Sequence, residues 1–269
     1  MAVVRVNDLH IGYNEARPTW GDSPTGDAVL FLHGVGSDKS AWDAQLEHFG
    51  MTHRAVALDY PGYGESDFPA SELNREEIAR CIFGAMDELK IEEAHVIGLS
   101  MGGVIALEMH RQNSSRFRSL TLANTFACHP EAGRIIERSQ HVFASMTMRS
   151  FAETRVESLL TANAQPALKR KVVETMARID KRTYAWASVA VWTADYRHYL
   201  PSIITPTLVI ASDHDQPTPP VLSGELCAAV PTARMEVISA AGHLSNIENP
   251  IAFNALVERF ISSTANEAS

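Results

Sequence analysis

Short apolar runs alternate along this chain with stretches whose apolar residues recur at helical spacing. Residues 3–6 and 9–14 read as an opening pair of strands. AVLFL at 28–32 reads as a buried strand, and further strands fall at 55–58, 95–99, 120–123, 207–211 and 234–238. Helical periodicity covers 39–49, 74–89, 101–110, 219–230 and 250–262. Strands that are apolar on both faces, bounded by Gly or Pro and separated by helices, predict a parallel sheet covered on both sides. The rhythm breaks between 126 and 198, where helical stretches follow one another without a strand. About 70 such residues inserted after one strand read as a lid over the sheet's end. The expected organisation is a core of 1–125 and 199–269 with a helical cap at 126–198. The polar tail from Ser262 is expected to fray.

Composition narrows the function classes. The chain has 269 residues, 45% hydrophobic and 20% charged, an ordinary globular balance. A net charge of −9 opposes nucleic-acid binding, which needs clustered cations against phosphate. The compact run Lys169-Arg170-Lys171 lies on a helical stretch and reads as a solvated face. Cys81, Cys128 and Cys227 are scattered and odd in number, as for free thiols in a reducing compartment. No metal motif such as HExxH or CxxC occurs, so neither metal nor cofactor is expected. With no signal core and no bilayer-spanning run, the expectation is a cytoplasmic protein without membrane partners. No oligomer is indicated.

The chemistry begins at Gly98-Leu99-Ser100-Met101-Gly102-Gly103. A Gly-x-Ser-x-Gly string alone is weak, arising by chance in about one chain in ten of this length. Here it sits where a strand gives way to a helix, the setting of a nucleophile elbow. A serine hydroxyl needs a base, and the base an orienting acid. Among eleven histidines, only His243, in Ala241-Gly242-His243, lies beyond both late acid candidates. Asp213 and Asp215 both follow the strand at 207–211, and either could instead cap the helix near Pro219. Backbone donors for an oxyanion are expected at Met101, after the nucleophile, and at Val35, in the loop His33-Gly34-Val35-Gly36-Ser37. His33 reads as a turn residue bonding neighbouring backbone. Asp59-Tyr60-Pro61-Gly62-Tyr63-Gly64-Glu65-Ser66 is turn chemistry. Trp186, Trp192, Arg134, Arg138 and Arg155 fall in the cap and are candidates to line a pocket. The two tryptophans are six apart and do not share a helical face.

Taken together, HGVGS, DYPGYGES, GLSMGG, SDHDQPTPP and AAGHLSNIENP make the whole chain resemble an α/β-hydrolase, in that family's motif order. The resemblance implies a mostly parallel eight-stranded sheet, a Ser100 nucleophile and a His243 base, and it assigns the acid to Asp215 rather than Asp213. Serine at the elbow argues against epoxide hydrolases and haloalkane dehalogenases, which carry aspartate there. LTLANTF and ITPTLVIASDHDQPTPP resemble 3-oxoadipate enol-lactonase-like enzymes most closely. That implies a small ester or lactone substrate. Cap arginines could pair a carboxylate if the substrate carries one, and each otherwise reads as a solvated helix charge. Meta-cleavage C–C hydrolases share Ser-Met-Gly-Gly and a helical cap. A non-catalytic small-molecule receptor on the same fold is the alternative of another class.

Overall fold

A computed structural model describes residues 2–18 and 27–267, the side chains of 138–144 and 265–267 excepted. Eight strands form one sheet: β1 (Ala2–Val6), β2 (Leu9–Ala16), β3 (Ala28–Leu32), β4 (Arg54–Leu58), β5 (Ala94–Leu99), β6 (Phe117–Ala123), β7 (Thr207–Ser212) and β8 (Ala233–Ile238), in spatial order β1-β2-β4-β3-β5-β6-β7-β8. β2 pairs antiparallel with β1 and β4, and the remaining neighbours are parallel. Every residue of β3, β5 and β7 is buried, whereas the edge strands β1 and β8 mix exposed and covered positions. A parallel strand covered on both faces has no polar side to show, which is why its sequence is a continuous apolar run.

Helices α1 (Asp43–Phe49), α2 (Arg75–Glu88) and α3 (Met101–Gln112) connect the first strands. Four more follow β6: α4 (Ala132–Ser145), α5 (Met148–Leu159), α6 (Pro166–Ala177) and α7 (Lys181–Trp192). The chain then closes with α8 (Pro220–Ala229), α9 (Ser245–Glu248) and α10 (Pro250–Glu267). Alternate residues of β3 feed two cores. Leu30 and Leu32 pack with Ile82 of α2 and Val104 of α3. Val29 and Phe31 pack with Trp42, Phe49 of α1 and Phe253 of α10. The four-helix segment is pinched at its base, where Cys128 and Asp195 form an antiparallel bridge and Tyr196 N–H donates to Ala127 O at 3.0 Å.

Several boundaries differ from the sequence reading. Residues 39–42 form a 3₁₀ turn before α1, because Asp38 accepts from Ser40 N–H and starts the turn early. α2 begins one residue later than expected because Asn74 is its cap: Asn74 accepts from Glu77 N–H while Glu77 accepts from Asn74 N–H. The tail expected to fray from Ser262 continues as helix to Glu267, anchored by Phe260 and Ile261 in the core. Among the described residues no helix is long and apolar enough to cross a membrane. No cluster of His, Cys, Asp or Glu among them could hold a metal ion.

Candidate active site

Ser100 is the corner between β5 and α3. Its φ of 58° and ψ of −118° lie where a side chain is rarely tolerated, and the turn is that tight because the backbones nearly touch. A Cβ on Gly102 would stand 2.0 Å from Leu32 O, so no other residue fits there. The corner is held from outside by Ser100 N–H donating to Ala123 O (2.9 Å) and Thr125 Oγ1 donating to Ser100 O (2.7 Å). Ser100 and His243 both line a cavity of about 50 Å³. Among the described residues Ser100 Oγ makes no hydrogen bond to protein, and it keeps slight exposure.

Asp215 and His243 meet behind that cavity. His243 Nδ1 lies 3.0 Å from both carboxylate oxygens. A ring that donates from Nδ1 keeps, when neutral, its lone pair on Nε2. Asp215 Oδ1 also accepts from Thr218 N–H (2.9 Å), and Oδ2 accepts from Thr218 Oγ1 (2.7 Å) and Asn124 Nδ2 (2.8 Å). Burial alone would raise this carboxyl's pKa. The charge of His243 and the hydrogen bonds from His243 and Thr218 outweigh it and hold the group below its ordinary value. Asp213 points elsewhere and accepts from Ala240 N–H (3.0 Å) and Ala241 N–H (3.4 Å), shaping the turn that precedes His243. Glu248 secures the other side, taking Gly242 N–H (2.8 Å) and, from the end of α5, Thr161 N–H (2.9 Å).

Val35 lines the same cavity, and Met101 is the first residue of α3. Neither backbone N–H makes a hydrogen bond among the described residues. The first N–H groups of a helix have no carbonyl of their own helix to bond. The Val35 loop is fastened by Tyr60 OH to His33 O and Tyr63 OH to Val35 O, both at 3.1 Å. His33 does what the sequence implied for a turn residue, with Nδ1 2.9 Å from Gly34 O. Burial drives its pKa down against the pull of Asp59.

Of the helices after β6, α5, α6 and α7 contribute residues to the cavity wall, and the pocket candidates separate there. Trp192 lines it, stacked on Phe126 with centroids 5.3 Å apart. Trp186 does not: it packs on Phe68 instead, because a six-residue offset turns it to another face of α7. Arg134 is also off the cavity, 80% exposed and paired with Glu131 at 3.3 Å. The side chain of Arg138 lies outside the described residues. Arg155 lines the cavity half-buried. It donates to Ser158 Oγ (2.9 Å), sits beside the Tyr184 hydroxyl, and pairs with no carboxylate among the described residues. Sequence reasoning missed Val172, Thr175 and Met176 of α6, whose i, i+3, i+4 spacing marks one inward stripe. It also missed Asn124 and Thr218 around the carboxylate.

Residues 27–250 match the model of the alpha/beta hydrolase fold family. The chain is 31% identical over 239 residues to 3-oxoadipate enol-lactonase 1 of Acinetobacter baylyi, covering 88% of this chain and 89% of that one. It is 28% identical to the 2-hydroxy-6-oxononadienedioate/2-hydroxy-6-oxononatrienedioate hydrolase of Cupriavidus pinatubonensis, covering 93% and 92%. The crystal structure of the enol-lactonase from Burkholderia xenovorans superposes with a TM-score of 0.90 at 27% identity, covering 97% of this chain and all of that one. By its sequence and by the architecture around Ser100, this chain belongs to the α/β-hydrolase fold family.

Proposed function

We propose that the protein is a serine hydrolase that cleaves a small ester or lactone bearing a carboxylate, through an acyl-enzyme. One observation carries the reading: a serine in a strained corner faces the same cavity as a histidine whose far nitrogen is held by a buried carboxylate. Ser100 Oγ attacks the carbonyl carbon while His243 Nε2 takes its proton, and Asp215 stabilises the imidazolium that forms. The N–H groups of Val35 and Met101 donate to the developing oxyanion, and the positive end of α3 favours that charge. His243 then returns the proton to the leaving oxygen. Water repeats the sequence on the acyl-enzyme and frees Ser100. The helices α4–α7 act as the cap that shapes the acyl pocket.

Arg155 supports the carboxylate. It is a half-buried cation at a cavity whose lining includes no acidic side chain among the described residues. The similarity to 3-oxoadipate enol-lactonase 1 supports a lactone. The similarity to the nonadienedioate hydrolase favours C–C cleavage as the second reading. A hydrolysis screen separates them, using p-nitrophenyl acetate, enol-lactones with and without a carboxylate, and vinylogous C–C substrates. The expected result is preference for the carboxylate-bearing lactone and loss of all turnover in Ser100→Ala. Undiminished turnover in that variant would remove Ser100 from the reaction.

A further inference from the structure

The residue that joins the three loops of this site is none of the three proposed catalytic residues. Asn124 follows β6 directly, is fully buried, and has a φ of 48°. Asparagine tolerates that left-handed conformation better than most residues with a side chain. Its neighbour Ala123 takes the N–H of Ser100, and its own N–H donates to Ile210 O of β7 at 2.8 Å. The backbone at 123–124 therefore touches the serine corner on one side and the acid's strand on the other.

The carboxamide continues the connection. Nδ2 donates to Asp215 Oδ2 (2.8 Å) and to Ser212 Oγ (3.0 Å). Oδ1 accepts from Ser245 Oγ at 2.7 Å, two residues beyond His243. The partners determine the amide's orientation: turned over, its oxygen would face the carboxylate, acceptor against acceptor. A buried amide is costly unless its groups are bonded, and here both hydrogens and the oxygen are used. The ionisable groups at this network are Asp215 and His243. Asp213 and His214 lie 3.9 Å from each other on the outer side of the loop, with Asp213 spent on backbone N–H groups.

We propose that Asn124 is a positioning residue for the hydrolysis. Its carboxamide holds Asp215 ionised and aligned on His243, and through Ser245 it sets the histidine loop against the acid loop. This rests on the serine-hydrolase reading above. A neutral donor suits the task. It favours the carboxylate without placing a second charge beside the imidazolium, which a lysine or arginine would do.

The test measures p-nitrophenyl acetate hydrolysis against pH for wild type, Asn124→Ala, Asn124→Asp and Ser245→Ala, with Ser100→Ala alongside. Asn124→Ala is expected to lower kcat about 10- to 100-fold, the weight of one hydrogen bond to a charged group, with little change in KM. Asn124→Asp has a sharper signature. While protonated, the new carboxyl reproduces the donor. Once it ionises, two carboxylates stand within hydrogen-bond distance, so activity falls reversibly on the alkaline side, where wild type is level. A residue that merely filled space would not give a loss that titrates. Wild-type kcat and pH profile in the Asn124 variants would overturn the proposal, as would losses confined to KM. If Asn124→Ala does not fold, Ser245→Ala decides: a several-fold drop in kcat supports the proposal and an unchanged kcat overturns it. Turnover surviving in Ser100→Ala would instead sink the serine-hydrolase reading, whatever the Asn124 variants do.

Discussion

A β-carbon at position 100 is tolerated only because the reaction proposed for it requires a hydroxyl there. The φ of 58° and ψ of −118° at Ser100 cost on the order of 1 to 3 kcal/mol for any residue with a side chain. Ser100→Ala removes the hydroxyl and keeps that strain, whereas Ser100→Gly removes both. Glycine's extra freedom in the unfolded chain returns about 0.4 to 1 kcal/mol of the gain. Ser100→Gly is therefore expected to be more stable than Ser100→Ala by about 1 kcal/mol, a rise of roughly 2 to 4 °C in Tm by calorimetry. Equal melting temperatures would mean the corner holds no such strain. The serine was legible in the sequence because its turn demands Gly98 and Gly102 beside it. Asp213 and Asp215 both follow the same strand, so position alone did not separate them and only the family resemblance favoured Asp215. In the structure Asp215 is buried against His243, whereas Asp213 accepts from Ala240 and Ala241 N–H. Asn124 was invisible for a deeper reason. Its partners Ser212, Asp215 and Ser245 lie 88, 91 and 121 residues away, and only the neighbouring order of β6, β7 and β8 brings them together.

Between elements, two turns are locked by one buried ion pair. Lys39, after β3, places Nζ 2.5 Å from Asp59 Oδ2, after β4, and its own N–H donates to Asp59 Oδ1 at 2.7 Å. Asp59 also takes Glu65 N–H, so a single carboxylate closes both loops. Its side chain has no exposure and that of Lys39 only 8%. Removing the charge strands a buried ammonium, and Asp59→Asn is expected to cost about 3 kcal/mol in urea unfolding. A loss below about 1 kcal/mol would show that Glu65, 3.0 Å from the same Nζ, can replace Asp59. The composition of DYPGYGES announced a turn but not this lock. Elements covered on both faces were the readable ones, because a short continuous apolar run between turn residues suits a doubly covered strand and little else. The four helices after β6 could be recognised as helices, yet which face of each points inward depends on how they sit on the sheet. That is why Trp192 reaches the cavity and Trp186 does not.

At the scale of the whole molecule, the strand–corner–helix unit that carries Ser100 is flanked by two buried histidines, one on β5 and one near the end of α3. His95 Nδ1 is bonded to Ser119 Oγ at 2.8 Å, and His110 lies between Tyr199 OH (2.7 Å) and Thr205 Oγ1 (2.8 Å). Burial pushes each imidazole down to about 4, and His53 and Arg118 add to the effect at His95. The native state therefore leaves both rings neutral at a pH where the unfolded chain protonates them. Stability is unaffected above about pH 6.5 and falls as pH drops toward 4, because the unfolded state then binds more protons. At pH 5 each ring is expected to cost on the order of 2 kcal/mol. Asp215 acts in another window. Its carboxyl is depressed, so its contribution is present above the unfolded value near 4 and is lost only as pH falls through the lower folded value. Urea unfolding at pH 7.5, 6, 5 and 4.5 tests the assignment, with His95→Asn and His110→Asn combined in one variant. The variant starts lower at pH 7.5 but is expected to show a flatter decline between pH 6.5 and 4.5. An equally steep decline in wild type and variant would place the acid sensitivity elsewhere in the fold.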